Sequence, residues 1–362
     1  MKNTTKLNSF VDVYTKPVYT PENPNIRTMA LYIDEGSKDP ILGLVREIAE
    51  SSGSVHRPGF VDRSKFILVE GDDYYSFKKV SDVVIEGLDE HIADILEENP
   101  TLEYIGPEDP TIHRENGVLQ VYFSVPFKDE NNYFTVCLGY ATGESLRDLK
   151  FKRLVAVTGD LCKSKVIDKS ALLFPNYECI KELAVVPRID NGTQVVLVEG
   201  ALGNSSLAGV SVISEIRLSD IKDGFGALDK YHSDIPVVNP NDLDSDDYRW
   251  ISGHASPCYI FLMDEAGYNL CIINGREKEE THKGEVDFGK FTVGLMNCNL
   301  DTGVCFISKQ HLFDDPDAKG IIFASQFIKI SDKEGLLYCH IDDAYIKAYR
   351  IKLDGLVKAL IV

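Results

Sequence analysis

Short runs of apolar, β-branched and aromatic residues recur along most of the chain, and polar turn residues separate them. From about residue 55 onward the runs include FILVEG, LQVYFSV, YFTVCLGYA, TQVVLVEG and FTVGLMN. Some runs are separated by turn pairs such as Asn191-Gly192, which are typical of tight antiparallel hairpins. The pattern predicts a mainly β chain built from consecutive hairpins.

Apolar residues at close to helical spacing occur only in the first hundred residues. The segment DPILGLVREIAE, residues 39–50, predicts one helix, and residues 88–98 predict a shorter second one. We expect residues 1–54 to form a short N-terminal extension that contains some helix. This extension would pack on a β domain that spans residues 55–362.

Five segments with similar openings each precede a predicted hairpin. They contain Arg57, Asp109, Glu182, His254 and Ala324, which follow one another at intervals of 52, 73, 72 and 70 residues. Such intervals are long for a solenoid but suit propeller blades with inserted loops. The innermost strand of every blade faces the central axis, so polar residues that open these strands converge at one end of the channel. We expect a binding site there.

The charge balance limits the expected partners. The 362 residues include 57 acidic and 38 basic ones, for a net charge of −19. A surface of that sign repels phosphate backbones and anionic lipid headgroups, so we expect neither nucleic acid nor a membrane as partner. No apolar run reaches the ~20 residues that span a bilayer, and the first residues lack the apolar stretch of a signal peptide. We therefore expect a cytoplasmic protein.

The eight cysteines are dispersed along the chain. They form no CxxC pair, and no Cys and His residues have zinc-type spacing. Because cysteine is among the most frequently buried residue types, we expect buried free thiols. We predict neither a metal nor another cofactor.

Four of the five segments resemble glycoside hydrolase family 130, the family of β-mannoside phosphorylases and hydrolases. PEDPTI at residues 107–112, with the hairpin after it, resembles the family's EDPR signature, and KELAVVP at 181–187 resembles the segment that opens the third blade. SGHASP at 252–257 is similar to the Gly-rich opening of the fourth blade, and LYCHIDDA at 337–344 to a strand of the last blade. The resemblance covers roughly residues 55–350 and implies a five-bladed β-propeller.

The resemblance also implies roles for individual residues. Cleavage of a glycosidic bond needs a carboxyl group that protonates the departing oxygen, and the matching residue is Asp109. An inverting hydrolase needs a second carboxylate to activate water. Glu182 is our predicted base, and Glu70 is the other candidate. We expect contacts with the sugar from Arg57, Glu108, Lys181, Trp250, His254 and Asp343.

The chain departs from the family pattern where the family commonly has basic side chains. The replacements are Thr111, Glu70 and Asn274. Phosphate binding needs convergent Arg, Lys or His donors, and the predicted ones are Lys181, Arg57 and His254. We therefore expect hydrolysis of β-linked mannosides or related oligosaccharides rather than phosphorolysis. Inorganic phosphate stays a candidate partner because the family includes phosphorylases.

Two other functions are compatible with the same residues. The three replacements also suit a non-catalytic, carbohydrate-binding propeller. Related five-bladed propellers with furanosidase activity use carboxylates on three blades, and this activity would need Asp62 or Glu70 as an acid from the first blade. Carboxylates of Asp109 and Glu182 that face each other across the channel would indicate an enzyme.

Overall fold

Antiparallel strands make up most of the computed structural model, which describes residues 4–157, 161, 163–167, 177–190, 193–202, 209–217, 238–243, 245–261, 268–282, 284–299 and 304–361. The strands up to residue 156 are β1 (Thr4–Lys6), β2 (Val11–Tyr14), β3 (Arg27–Ile33), β4 (Ile41–Ser52), β5 (Val61–Asp73), β6 (Ser76–Asp82), β7 (Glu103–Tyr104), β8 (Glu108–Glu115), β9 (Val118–Lys128), β10 (Phe134–Gly143) and β11 (Lys150–Ala156). The later strands are β12 (Tyr177–Asp190), β13 (Thr193–Leu202), β14 (Gly209–Arg217), β15 (His254–Ile260), β16 (Tyr268–Arg276), β17 (Glu280–His282), β18 (Glu285–Asp287), β19 (Phe291–Asn299), β20 (Val304–Ile307), β21 (Ile322–Lys329), β22 (Glu334–Ile341) and β23 (Tyr345–Lys352). The described α-helices are α1 (Leu88–Glu98) and α2 (Leu353–Ile361). Within this described part of the chain, no helix combines the length and the apolar character needed to cross a membrane.

Most strands belong to five antiparallel sheets. In spatial order, sheet I is β3-β4-β5-β6, sheet II is β11-β10-β9 with β7 and β8 paired to β9, sheet III is β12-β13-β14, sheet IV is β15-β16-β19-β20 and sheet V is β1-β2-β23-β22-β21. Strands β17 and β18 form a separate two-stranded ribbon. The innermost strands β3, β8, β12, β15 and β21 contact one another in this order, and β21 also contacts β3. The sheets therefore surround a central axis.

The prediction of an all-β, propeller-like fold is confirmed, whereas five complete blades are not observed. Four sheets have the four or more strands of a full blade, and sheet III has three among the described residues. Residues 218–237, which follow β14, lie outside the described residues. The predicted turn pair Asn191-Gly192 also lies outside them, although β12 and β13 on either side of it pair antiparallel.

The helix prediction is confirmed for residues 88–98 and wrong for residues 39–50. The first segment forms α1, which buries one apolar face. The second lies largely in β4, whose first eight residues are all buried. A strand covered on both faces is apolar on both sides, so periodicity alone does not distinguish it from a buried helix. The predicted boundary after residue 54 therefore falls between β4 and β5, which are neighbouring strands of one sheet.

The two ends of the chain meet in sheet V. Strand β2 pairs with β23, so N-terminal residues share a sheet with C-terminal ones. Sheet V also packs on sheet I, where the buried side chains of Leu31 and Val45 belong to the same apolar cluster as Ile346 and Ala348. Residues before position 55 thus complete sheet V and contribute two strands to sheet I.

The cysteines only partly follow the expectation of free thiols. Cys298 and Cys305 lie opposite each other on β19 and β20 and form a disulfide. Cys137, Cys271 and Cys339 are buried and free. The expectation is therefore wrong for the pair, whose apposition depends on a hairpin register that cysteine spacing did not indicate.

Candidate functional site

A β-bulge interrupts the pairing of each innermost strand. The shifts in register lie between residues 29 and 31, 108 and 111, 181 and 183, 257 and 259, and 324 and 326. In sheets I, II and III, a residue inside the bulge has positive φ: Ala30 at 51°, Asp109 at 44° and Glu182 at 47°. A bulge redirects side chains, and such backbone strain outside glycine is typical of functional sites. The two predicted catalytic carboxylates thus occupy equivalent positions in neighbouring sheets.

A glycine lets the chain enter the bulge of sheet II. Gly106 has φ 103°, and a Cβ atom there would lie 1.9 Å from the carbonyl oxygen of Ser64 on β5. The Ser64 hydroxyl donates a hydrogen bond of 2.9 Å to the carbonyl oxygen of Pro107. The segment that carries Asp109 is therefore fastened to sheet I.

A cavity of about 380 Å³ lies beside these bulges. Six of the eight predicted site residues line it: Glu108, Asp109, Lys181, Glu182, His254 and Asp343. Asp62, one of the two acids considered for a furanosidase-like site, also lines it, together with three charged or titratable side chains that the sequence did not single out: Arg46, Arg276 and His340. The described residues contain no group of three or more His, Cys, Asp or Glu side chains that could hold a metal ion.

The carboxylate of Asp109 faces a buried guanidinium group. Arg46 on β4 is 4% exposed, and its Nη1 donates to Asp109 Oδ1 at 2.8 Å while its Nη2 donates to Glu108. Burial disfavours the charged guanidinium, but the negative charges of Glu108 and Asp109 outweigh this effect and raise the pKa of Arg46. Burial also raises the pKa of Glu108 to about 7, even though Arg46 opposes this shift. Asp109 therefore lies against a permanent positive charge.

Glu182 has negative neighbours instead. The register of β12 and β13 places Lys181 opposite Glu199, so the adjacent bulge brings Glu182 next to the same carboxylate. Burial, followed by the negative charges of Glu199 and Asp109, raises the pKa of Glu182 well above its usual range. Glu182 thus retains its proton more strongly than an ordinary glutamate.

Glu199 itself is held in its charged form. It is 1% exposed, and its Oε2 lies 3.1 Å from His254 Nε2 while its Oε1 lies 3.8 Å from Lys181 Nζ. Burial disfavours the charge of Glu199, but the positive charges of His254 and Lys181 outweigh it and lower the pKa. The predicted site residues His254 and Lys181 are therefore joined through a carboxylate that the sequence did not indicate.

Asp343 is a further buried acid of the cavity wall. It lies between β22 and β23, where its Oδ1 is 2.9 Å from His340 Nδ1. Burial opposes the charge of Asp343, but the hydrogen bond and charge of His340, together with Arg46, outweigh it and lower the pKa. The ring of Phe323 stacks on His340 with the centroids 5.1 Å apart. Asp343 is thus a fixed, charged hydrogen-bond acceptor.

The sheet I candidates for a third catalytic carboxylate are placed differently. Ala30 occupies the bulge position in sheet I, so no carboxylate stands there. Asp62 reaches the cavity from β5 in an ion pair with Arg27. Glu70 does not line the cavity; it is 45% exposed and lies 3.7 Å from Arg147. A carboxylate triad with equivalent positions in three blades is therefore not present.

The structure places Arg57 and Trp250 outside the cavity, in contrast to their predicted contacts with sugar. Arg57 forms ion pairs with Glu285 and Asp287 beside the ribbon β17–β18. Trp250 is 4% exposed, and its indole Nε1 donates to the carbonyl oxygen of Ser308 at 3.1 Å. Its ring is part of the apolar core of sheet IV, a packing that its position in a polar segment of the sequence did not indicate. The aromatic rings along the cavity include Phe288, Phe291 and Phe323.

The missed residues left different signals in the sequence. Arg46 lies in the segment that was predicted to be helical, so its position facing the axis was hidden. Arg276 directly follows the apolar run IING, and His340 lies within LYCHI, in the segment that resembles a strand of the last blade. A charged or polar residue inside an apolar strand is the signal that could have found them.

Comparisons with known proteins give the same fold. A β-1,2-mannobiose phosphorylase from Listeria innocua, in complex with β-1,2-mannobiose, has a TM-score of 0.59 and 14% identity over 94% of each chain. A mannose phosphorylase from Leishmania mexicana, in complex with phosphate, has a TM-score of 0.54 and 13% identity over 94% of this chain and 88% of its own. A structure from a study of family 130 hydrolases that target β-1,2-mannosidic linkages in Candida mannan has a TM-score of 0.58 and 15% identity, covering 91% and 85%.

The sequence comparisons add no closer relative. No family model matches the chain, and no curated protein matches it. At 13–15% identity, the three structures establish a shared architecture. The resemblance to glycoside hydrolase family 130 is thus confirmed at the level of the fold.

Proposed function

We propose that this chain is a glycoside hydrolase that cleaves β-linked mannosides in the cavity, with Asp109 and Glu182 as its catalytic carboxyl groups. The observation that carries this proposal is their placement at equivalent bulges on one cavity, with opposite electrostatic surroundings. The substrate class follows from the solved structures of the same fold, and β-1,2-mannobiose is the first substrate to test. We also propose that sheet III is the third of five blades, so that the whole chain forms one propeller.

The surroundings of the two carboxyl groups assign their roles. A pair whose environments separate the proton affinities is the usual arrangement for acid and base catalysis. Glu182, whose pKa is raised by burial and by its negative neighbours, donates its proton to the departing glycosidic oxygen. Asp109, held by the guanidinium of Arg46, takes a proton from the attacking water. These roles are the reverse of those that the family resemblance implies.

Other groups on the cavity wall bind the sugar in this proposal. The carboxylate of Asp343 and the carboxyl group of Glu108 accept or share hydrogen bonds with hydroxyl groups. The rings of Phe288 and Phe291 provide flat apolar surfaces for the C–H faces of a sugar ring. The cavity thus combines polar and apolar recognition beside the catalytic pair.

The choice between water and phosphate rests on how the basic side chains are paired. The cavity has more basic side chains than the sequence indicated, because Arg46, Arg276 and His340 also line it. Each basic side chain, however, lies near a carboxylate: Arg46 near Glu108 and Asp109, Lys181 and His254 near Glu199, Arg276 near Glu279, and His340 near Asp343. A phosphate ion would add nearly two negative charges to this acidic site. Water does not carry that cost, so we favour hydrolysis.

Phosphorolysis is the second candidate function. Lys181, His254 and Arg276 line the same cavity and are the types of side chain that bind phosphate. Two of the structures with this fold are phosphorylases. In this alternative, phosphate would attack in place of water, and Asp109 would not need to act as a base.

Incubation with β-1,2-mannobiose, with and without inorganic phosphate, tests the proposal. We expect mannose as the only product, at a rate that phosphate does not change, and turnover lowered by ~10²–10⁴ in the Asp109→Asn and Glu182→Gln variants. Phosphate-dependent formation of mannose 1-phosphate would support the second candidate. Calorimetric binding of manno-oligosaccharides without turnover under either condition would indicate a non-catalytic binder.

A further inference from the structure

Two segments from non-neighbouring sheets meet beside the cavity. The first is the connection between β4 and β5, residues 53–60, which belongs to sheet I. The second is the ribbon β17–β18 with the following Phe288, which is inserted between β16 and β19 of sheet IV. Sheet V lies between sheets I and IV in the ring of innermost strands. We call the two segments together the clasp.

Arg57 makes the main side-chain contacts within the clasp. Its Nε donates to Asp287 Oδ1 at 2.7 Å, and its Nη1 lies 2.6 Å from Glu285 Oε2. The backbone also contributes, because the amide of Phe288 donates to the carbonyl oxygen of His56 at 2.7 Å. The His56 ring lies beside Gly320, just before β21 of sheet V. The clasp therefore crosses the end of sheet V.

Both segments of the clasp form part of the cavity wall. Val55, Gly59 and Phe60 line it from the first segment, and Phe288 lines it from the second. The guanidinium of Arg276 lies 4.8 Å from the centre of the Phe288 ring, which connects the clasp with the charged part of the site. A cavity of about 380 Å³ is at the small end for ligand sites. The two segments therefore limit the space of the cavity on one side.

We propose that Arg57 is a specificity-determining positioning residue: by joining the two segments, it closes one side of the cavity and restricts the site to short β-mannosides. The sugar class in this inference rests on the proposed function, whereas the clasp itself rests on the contacts above. Arg57 acts through the position of the wall and not through contact with the reacting atoms. Its loss should open the wall and admit a longer sugar.

Hydrogen exchange tests the clasp without any substrate. The side chain of Arg57 is 45% exposed, and ion pairs at such positions are weak, so we expect Arg57→Ala to speed exchange in both segments by about fivefold. Arg63→Ala is the matched control, because Arg63 is 38% exposed and pairs with Glu50 and Glu103 away from the cavity. The charge exchange Arg57→Asp with Asp287→Arg should restore slow exchange. Unchanged exchange in Arg57→Ala would overturn the clasp.

Chain-length preference tests the consequence for specificity. We expect Arg57→Ala to raise the kcat/KM for mannotriose relative to mannobiose at least fivefold, through a lower KM for mannotriose. The calorimetric Kd for mannotriose should likewise fall relative to that for mannobiose. Arg63→Ala should leave both ratios unchanged, and the charge exchange should restore them. Faster exchange with unchanged ratios would overturn the role in specificity. Failure of the wild-type protein to cleave either sugar would contradict the proposed hydrolysis, and the Kd ratio would still decide the role of Arg57.

Discussion

The bulges of sheets II and III place two carboxyl groups at equivalent backbone positions but in opposite electrostatic surroundings. Each bulge places a carboxyl-bearing residue with positive φ at the same point of an innermost strand. Asp109 meets the guanidinium of Arg46 from sheet I, whereas Glu182 meets Glu199 from its own sheet. The two carboxyl groups therefore have different electrostatic neighbours although the strands that carry them are equivalent. The fold sets their positions, and the neighbouring side chains set their electrostatic environment.

The bulge of sheet I has the same backbone geometry but no functional side chain. Ala30 has the same positive φ but no functional group. Its strain therefore follows from the repeated strand geometry and not from a catalytic demand on that residue. The comparison of the three bulges indicates that a strained backbone marks the position of a site, while the side chain decides whether it is used.

Removal of the proposed base should have the largest effect on activity. We expect Asp109→Asn to lower turnover of β-mannosides by ~10³-fold, because the loss of base catalysis costs ~10²–10⁴ and the water also loses its positioning. The thermal midpoint should stay within a few degrees of that of the wild type. Turnover within tenfold of the wild type would contradict the role of Asp109 as the base.

Removal of Arg46, the buried partner of Asp109, should lower the stability of the fold. Arg46→Met leaves Glu108 and Asp109 without their buried partner, so we expect a loss of about 3 kcal/mol in the free energy of unfolding in urea. Arg46→Lys is the matched control, because it keeps the charge but not the two-pronged contact, and it should lose less. Equal stability of Arg46→Met and the wild type would show that the ion pair is not a stabilising one.

The Glu182 side of the comparison predicts a shift in pH dependence. In the proposed reaction Glu182 has to be protonated, so activity should fall as the pH rises through its pKa. Glu199→Gln removes a negative neighbour and lowers that pKa, which should move the alkaline limb of the kcat profile to lower pH. Glu70→Gln, the same change at an exposed site outside the cavity, should not move it. An unchanged alkaline limb of the kcat profile in Glu199→Gln would show that Glu199 does not raise the pKa of the catalytic acid.

The smallest expected effect concerns the bulge without a functional group. Glycine adopts positive φ without the steric cost that alanine has, although it also loses more entropy on folding. We expect Ala30→Gly to raise the free energy of unfolding by about 0.5 kcal/mol and to leave kcat unchanged. A clear loss of stability would show that the Ala30 methyl group packs more favourably than its backbone is strained.

The sequence predicted the parts of the site that lie within short motifs. Glu108 and Asp109, Lys181 and Glu182, and His254 lie in segments whose spacing follows the repeated sheets, so alignment of the repeats located them. Arg57 was aligned with these residues, but the first sheet begins near Arg27, and the corresponding bulge contains Ala30. The repeat therefore located the innermost strands of four sheets, β8, β12, β15 and β21, but was misplaced in the first sheet.

The remaining parts depend on contacts between distant residues. The pairing of Arg46 with Asp109 joins positions 63 residues apart, and the pairing of Arg57 with Asp287 joins positions 230 residues apart. No sequence pattern near either residue indicates its partner, because the folded arrangement of the sheets determines which charged side chains meet. The buried strand β4 added to the difficulty, since its apolar residues on both faces resembled a helix.

The most direct test of the account compares two leaving groups in two variants. A dinitrophenyl β-mannoside has a leaving group that departs without a proton, whereas β-1,2-mannobiose needs the general acid. We predict that Glu182→Gln turns over the dinitrophenyl sugar within about tenfold of the wild type and loses ~10²–10⁴ on mannobiose, while Asp109→Asn loses activity on both. The opposite pattern, in which Asp109→Asn keeps the activated substrate and Glu182→Gln loses it, would contradict the assignment of the proton to Glu182.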